Sequence, residues 1–180
     1  MPNRLSLSRM AEFVRHRQVS PSELVNAHLR QIDSCAPRLN PFIEVYAEQA
    51  RAAAKEAEAA LMRRENVGPL HGVPVTVKDS FDIAGRVTAC GSRLLAGERA
   101  AHDALCVERL RRAGAMILAK TSCPEFLMNY ETDNRLIGRT NNPWLEERTC
   151  GGSSGGEAAA IAAFCSPGGM GSDGGGSIRE

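Results

Sequence analysis

Apolar residues recur first at helical spacing and then in short β-branched runs, and the change of character falls near Gly68. A first helix is predicted over Ser8 to Arg17. Ser20-Pro21-Ser22-Glu23 marks the next start, with Ser20 at the N-cap, Pro21 at the first helical position and Glu23 closing a capping box. Leu24, Ala27, Leu29 and Ile32 continue as an apolar stripe to about Ser34, where Pro37 and Pro41 are expected to interrupt it. Phe42 to Tyr46 reads as a short strand. Ala47 to Arg64, rich in Ala, Glu, Lys and Arg, reads as a mostly exposed helix with its charges solvated.

Beyond Gly68-Pro69 the pattern turns to strands. Val73 to Lys78 is β-branched and apolar, a buried strand that ends on a lysine. On its own, such a lysine reads as an ammonium reaching solvent over its aliphatic stem. Asp103 to Ala113 predicts a helix, Gly114 its stop, and Ala115 to Ala119 another buried strand. This order indicates an α/β fold with strands covered by helices. Pro124-Glu125-Phe126 starts a short helical turn, Gly138 to Cys150 is a long loop, and Glu157 to Phe164 is an Ala-rich helix. Residues 1–66 form an N-terminal helical region, and 67–180 carry the strands and the candidate chemistry.

Composition excludes several function classes. Lys plus Arg total 22 against 21 Asp plus Glu, so no strong field favours nucleic acid or an anionic membrane. No run approaches the ~18 to 20 apolar residues of a membrane span, and Met1 to Met10 lacks the apolar centre of a secretory signal. The six cysteines (Cys35, Cys90, Cys106, Cys123, Cys150, Cys165) are scattered, which favours reduced thiols and a cytoplasmic location. The four histidines lack ligand spacing, and neither metal nor cofactor is expected.

Ten of the seventeen glycines lie between Gly151 and Gly176, in two serine-bearing runs. Glycine belongs where backbone takes positive φ or approaches another group closely. Gly152-Ser153-Ser154-Gly155-Gly156 matches a nucleophile elbow in form, but every histidine precedes Ser154, whereas that fold places its histidine afterwards. Gly169-Met170-Gly171-Ser172-Asp173-Gly174 matches a dinucleotide fingerprint, but Ser166-Pro167 precedes it, and with the sequence stopping at Glu180 the helix and distant acid of that unit are not there to support a lone match. A phosphate loop would need Gly-Lys-Ser/Thr, which neither run supplies.

Taken together with Lys78, the two runs are distinctive. His71-Gly72-Val73-Pro74 through Lys78-Asp79, Pro124-Glu125-Phe126, Gly138 to Pro143, and the blocks GGSSGGE (Gly151–Glu157) and GSDGGGSIR (Gly171–Arg179) resemble the amidase signature family from about Ser20 onward. The resemblance implies a mixed β-sheet core covered by helices and a Ser–cisSer–Lys triad. Ser177 matches the nucleophile, Ser153 the serine after a cis peptide bond, and Lys78 the base. Gly174, Gly175 and Gly176 match the oxyanion hole, and Asp173 and Arg179 match positions that brace that turn; read from their six-residue separation alone, the two simply pair with each other. For Ser154, structural support of the first block is the expectation.

The implied reaction is hydrolysis of a small-molecule carboxylic amide to acid plus ammonia or amine, through a serine acyl-enzyme. A lysine serves as base only if its pKa falls from ~10.4 toward neutrality, which burial at the end of an apolar strand favours. A hydroxyl donates and accepts at once, so Ser153 suits a relay. The alternative is the A-type glutaminase component of a tRNA-dependent amidotransferase, or an inactive fragment. Asp173-Gly174-Gly175 leans away from the amidotransferases, which commonly carry threonine in that turn. Because the family is ordinarily more than twice as long, the chain reads as a portion incomplete at the C-terminus, with little activity expected in isolation. Homodimerisation of a full-length protein stays open.

Overall fold

A computed structural model describes all of residues 1–180. Its centre is a four-stranded mixed sheet in the order β1-β3-β2-β6, formed by β1 (Phe42–Val45), β2 (Pro74–Lys78), β3 (Met116–Thr121) and β6 (Gly169–Met170). β2 runs parallel to both β3 and β6, whereas β1 pairs antiparallel with β3. Both central strands are buried throughout, which accounts for their unbroken apolar and β-branched character.

Helices cover both faces. α1 (Leu7–Arg15) and α2 (Pro21–Leu39) begin on Ser6 and Ser20, and Ser20 and Glu23 complete the capping box. α2 and α3 (Ala47–Met62) pack with α5 (Gly155–Ala162) over one face, burying Val25, Leu29, Ile32, Leu118 and Ala160 in a common core. On the other face Val107 of α4 (Leu105–Arg112) meets Val75, Val77 and Ile117.

A register shift between β2 and β3 sets the orientation of the site. Val75 stands opposite Ile117, but the next residue, Thr76, stands opposite Ala119. The extra residue, Leu118, turns into the α2–α5 core with its neighbour Ala119, so the alternation of β3 changes phase there. Lys78 consequently faces Thr121, on the α5 side, while Lys120 stands beside Val77.

Several expectations need correction. Pro37 does not stop α2; the apolar stripe continues through Cys35 to Leu39, both buried, and Pro37 lies on the exposed side of the last turn. The helix ends instead at Asn40, which takes a left-handed conformation with φ of 50°. α3 exposes its charges but buries Ala50, Ala54, Ala57 and Ala60 as a narrow face. The strand expected at Phe42 to Tyr46 is β1, an edge of the sheet. The loop assigned from Gly138 opens with β5 (Gly138–Arg139), paired with β4 (Asp133–Asn134), and Gly169–Met170, matched above only to a dinucleotide fingerprint, forms the short strand β6. All six cysteines are free thiols, and no helix is long and apolar enough to cross a membrane.

Candidate active site

β2 delivers Lys78 to the carboxyl end of the sheet, where its side chain is fully buried rather than reaching solvent. Lys78 Nζ lies 2.7 Å from Ser153 Oγ, 2.9 Å from Ser154 Oγ and 2.9 Å from Ser172 Oγ. Both serines of the first block stand just before α5, and the Gly152–Ser153 peptide bond is cis. The close seat of α5 explains the glycines: a Cβ at Gly156 would run into the backbone of Ser122 and Pro41.

Hydrogen bonding separates the two serines. Ser154 Oγ donates to the Ser172 carbonyl at 3.1 Å and accepts from Ser172 N–H at 3.3 Å. With its proton so placed, Ser154 meets Lys78 as an acceptor and ties the two glycine blocks together. Ser153 Oγ has no protein partner other than Lys78, so its proton is uncommitted.

The second block folds into a tight turn around Asp173. Its carboxylate accepts from Gly176 N–H at 2.7 Å and Ile178 N–H at 3.2 Å, and from Arg179 Nε and Nη2 at 2.8 and 2.9 Å. The Arg179 guanidinium and these amides hold the Asp173 carboxyl well below the usual carboxylate range. Ser154 N–H donates to the Ser177 carbonyl at 3.0 Å, and Tyr130 Oη donates to the Gly175 carbonyl at 2.9 Å.

Ser153, Ser172 and Ser177 open into one cleft of about 460 Å³, together with Gly174, Gly175 and the apolar segment Phe126–Met128. No hydrogen bond joins Ser177 Oγ to Ser153 or Lys78; Ser177 and Ser153 line one cleft, and Lys78 meets that lining through Ser153 and Ser172. Of the three glycines expected to hold an oxyanion, Gly176 has its N–H taken up by Asp173, while Gly174 and Gly175 N–H make no hydrogen bond within the protein.

Burial lowers the Lys78 pKa, opposed by the Cys123 and Cys90 thiols and then by Asp173 and Glu157. The adjacent carboxylate does not cancel this effect: Asp79 pairs with the equally buried Lys120 at 2.9 Å. Lys120 also donates to the Val87 carbonyl and Thr88 Oγ1, both at 2.7 Å, fastening the segment that follows β2.

Four residues of this neighbourhood escaped sequence reasoning: Ser172, Lys120, Tyr130 and Glu157. Ser172 had a signal, since it lies inside the second glycine block. Glu157 carried a fainter one, a carboxylate within an otherwise apolar, Ala-rich helix. It is buried, with Thr76 Oγ1 donating to one carboxyl oxygen and Thr121 Oγ1 donating to the other at 2.9 Å. Burial raises its pKa to about 7, against the opposing influence of those hydroxyls and Lys78. No group of three or more His, Cys, Asp or Glu side chains is arranged to hold a metal ion.

Comparison with known proteins gives this geometry a family. The Amidase family profile matches residues 23–180. The chain is 44% identical over 171 residues to the A subunit of glutamyl-tRNA(Gln) amidotransferase from Acidothermus cellulolyticus, covering 95% of this chain and 34% of that protein. It is 47% identical over 163 residues to the corresponding protein of Halorhodospira halophila, covering 91% of this chain and 34% of that protein. Among solved structures, fatty acid amide hydrolase superposes with a TM-score of 0.95 at 28% identity, covering 99% of this chain and 32% of that one. A crystal structure of an amidase gives 0.90 at 33% identity, covering 97% and 40%. The chain therefore spans about a third of the length of the curated relatives it matches. Sequence, fold and the paired serine blocks agree: the chain belongs to the amidase signature family.

Proposed function

We propose that this chain carries the nucleophile, proton relay and base of an amide hydrolase, with Ser177, Ser153 and Lys78 in those roles. The observation that carries the reading is the buried Lys78 amine, 2.7 Å from the Ser153 hydroxyl, which has no other protein partner and lines the same cleft as Ser177. A desolvated amine is biased toward the neutral form that accepts a proton.

In the proposed reaction Ser177 Oγ attacks the amide carbonyl. Its proton passes to Ser153, whose own proton passes to Lys78. Negative charge develops on the carbonyl oxygen, for which Gly174 and Gly175 N–H are the available donors; each well-aimed donor is worth ~3 to 4 kcal/mol at the transition state. As the C–N bond breaks, the proton returns through Ser153 to the departing nitrogen and leaves Ser177 as an ester. Water, deprotonated through the same pair, attacks that ester; the acid departs and Ser177 recovers its proton. Asp173 and Arg179 hold the turn without taking part in the chemistry, and Ser154 supports the first block. Residues 67–180 carry these groups.

Hydrolysis of simple aliphatic and aryl amides by the full-length protein, abolished in Ser177→Ala, is the expected result. Activity surviving in Ser177→Ala would remove the assignment. The relatives named as amidotransferase A subunits support a second reading, in which the amide is glutamine and the released ammonia serves a tRNA-dependent transfer. Glutamine hydrolysis that emerges only with partner subunits would select it.

A further inference from the structure

We propose that Glu157 is a positioning residue whose carboxyl latches the first turn of α5 to β2 and β3, and thereby holds Ser153 and Ser154 against Lys78. Two matching periodicities carry the inference. Thr76 and Lys78, two residues apart on a strand, point to the same face. Ser154 and Glu157, three residues apart at the start of α5, lie on one side of that helix. The upper members meet through Lys78 Nζ and Ser154 Oγ at 2.9 Å, and the lower members through Thr76 Oγ1 and Glu157 Oε1.

The second carboxyl oxygen reaches across to β3, accepting from Thr121 Oγ1 at 2.9 Å. Thr121 stands directly opposite Lys78 in the strand pairing, so one side chain spans both strands in the layer beneath the amine. The rest of α5 packs on the sheet through small apolar residues, Ala159 and Ala160, which fix no unique rotation of the helix. Directional bonds from Glu157 supply what those contacts lack. Gly169 on β6 makes room: a Cβ there would meet Glu157 Oε1 and the Thr76 carbonyl.

The latch is made by hydrogen bonds that the carboxyl oxygens accept from Thr76 and Thr121, and burial raises the carboxyl's pKa to about 7. Among charged groups Lys78 is the one that opposes that rise, while β3 and β6 present only Thr121 and the Gly169 backbone. A glutamine preserves this function, since its amide oxygen accepts from Thr121 while its NH2 donates to Thr76 Oγ1.

The kinetic part of the test rests on the roles proposed above for Lys78 and Ser153; the spectroscopic part does not. In full-length protein labelled with [13C]lysine, Glu157→Ala is expected to displace the Lys78 13Cε resonance. On a simple aryl amide it should lower kcat by about 10- to 100-fold with KM changed less than about twofold, as misplacement of reacting groups does. Glu157→Gln should restore the resonance and return kcat to within about threefold. Where Glu157→Ala does not fold, Thr76→Val and Thr121→Val each remove one bond, and each should displace the resonance and lower kcat several-fold. Unchanged resonance and kcat in the alanine or valine variants would overturn the proposal, as would a glutamine variant as impaired as alanine. A displaced resonance in a protein that hydrolyses no amide would keep the latch and discard the hydrolase reading.

Discussion

Lys78 Nζ and Ser153 Oγ meet at 2.7 Å although 75 residues separate them in the chain, one at the end of a central strand and the other in the loop before α5. The strand end removes water from the amine, and the glycine block brings a hydroxyl whose only protein partner is that amine. In the proposed reaction they are the proton acceptor and the carrier, and Ser177 lines the same cleft as Ser153.

Because burial depresses the Lys78 pKa, the proposed base would be neutral, and competent, above its lowered pKa. On the acid side kcat/KM should therefore fall as Lys78 takes a proton, and Lys78→Met should lose about 10²- to 10⁴-fold together with that limb. A pH–rate profile of the two proteins checks both.

Glu157 makes a prediction about stability. Its ordinary pKa of 4.5 becomes about 7 in the fold, so the folded state holds a proton that the unfolded chain releases. The contribution is complete below about 4.5 and is lost as pH rises through about 7, an amount of ~3 kcal/mol. Urea unfolding of wild type relative to Glu157→Gln, measured across this window, should show that decline.

In the turn around Asp173, the carboxylate does more than its partner. It accepts two backbone N–H groups that shape the approach to Ser177, whereas Arg179 is largely exposed. Asp173→Ala is predicted to lower kcat by about 10²-fold, comparable to losing one well-placed donor. Arg179→Ala is expected to have a much smaller effect, as an exposed ion pair contributes little. Parallel kinetics of the two variants settle the ranking.

Gly156→Ala is predicted to destabilise the protein by about 1 to 3 kcal/mol, because its Cβ has backbone of Ser122 and Pro41 in its path and α5 must shift. A lowered thermal midpoint, accompanied by loss of activity as Ser153 moves, is the signature to measure.

Much of this arrangement is legible in the sequence. The capping box at Ser20 and the buried strand ending on Lys78 rest on local chemistry, and the structure shows both; the two glycine blocks are legible as runs, and in the fold they meet through Ser154 and Ser172. What escapes is tertiary. Pro37 carries a strong local stop signal, yet Cys35 and Leu39 bury on the core side and continue the helix. The phase change at Leu118 leaves no mark in Met116–Thr121, where every residue suits either face. Without it one cannot tell that Thr121 joins Lys78 while Lys120 turns toward Asp79. Lys78 itself shows its strand but not its destination, since a strand-ending lysine is ordinarily solvated. The pairing of Glu157 with Thr76 and Thr121 needs strands and helix in place before it can be seen.

The central claim, that Lys78 acts through Ser153 to activate Ser177, is tested most directly by site-mapped covalent labelling. The full-length protein is treated with a serine-directed fluorophosphonate near neutral pH, and the adduct is located by peptide mass spectrometry. A single adduct on Ser177, formed far more slowly in Lys78→Ala and Ser153→Ala, is the expected outcome. An adduct on Ser153 or another serine, or labelling of Ser177 at the wild-type rate without Lys78, would refute that chain of proton transfer.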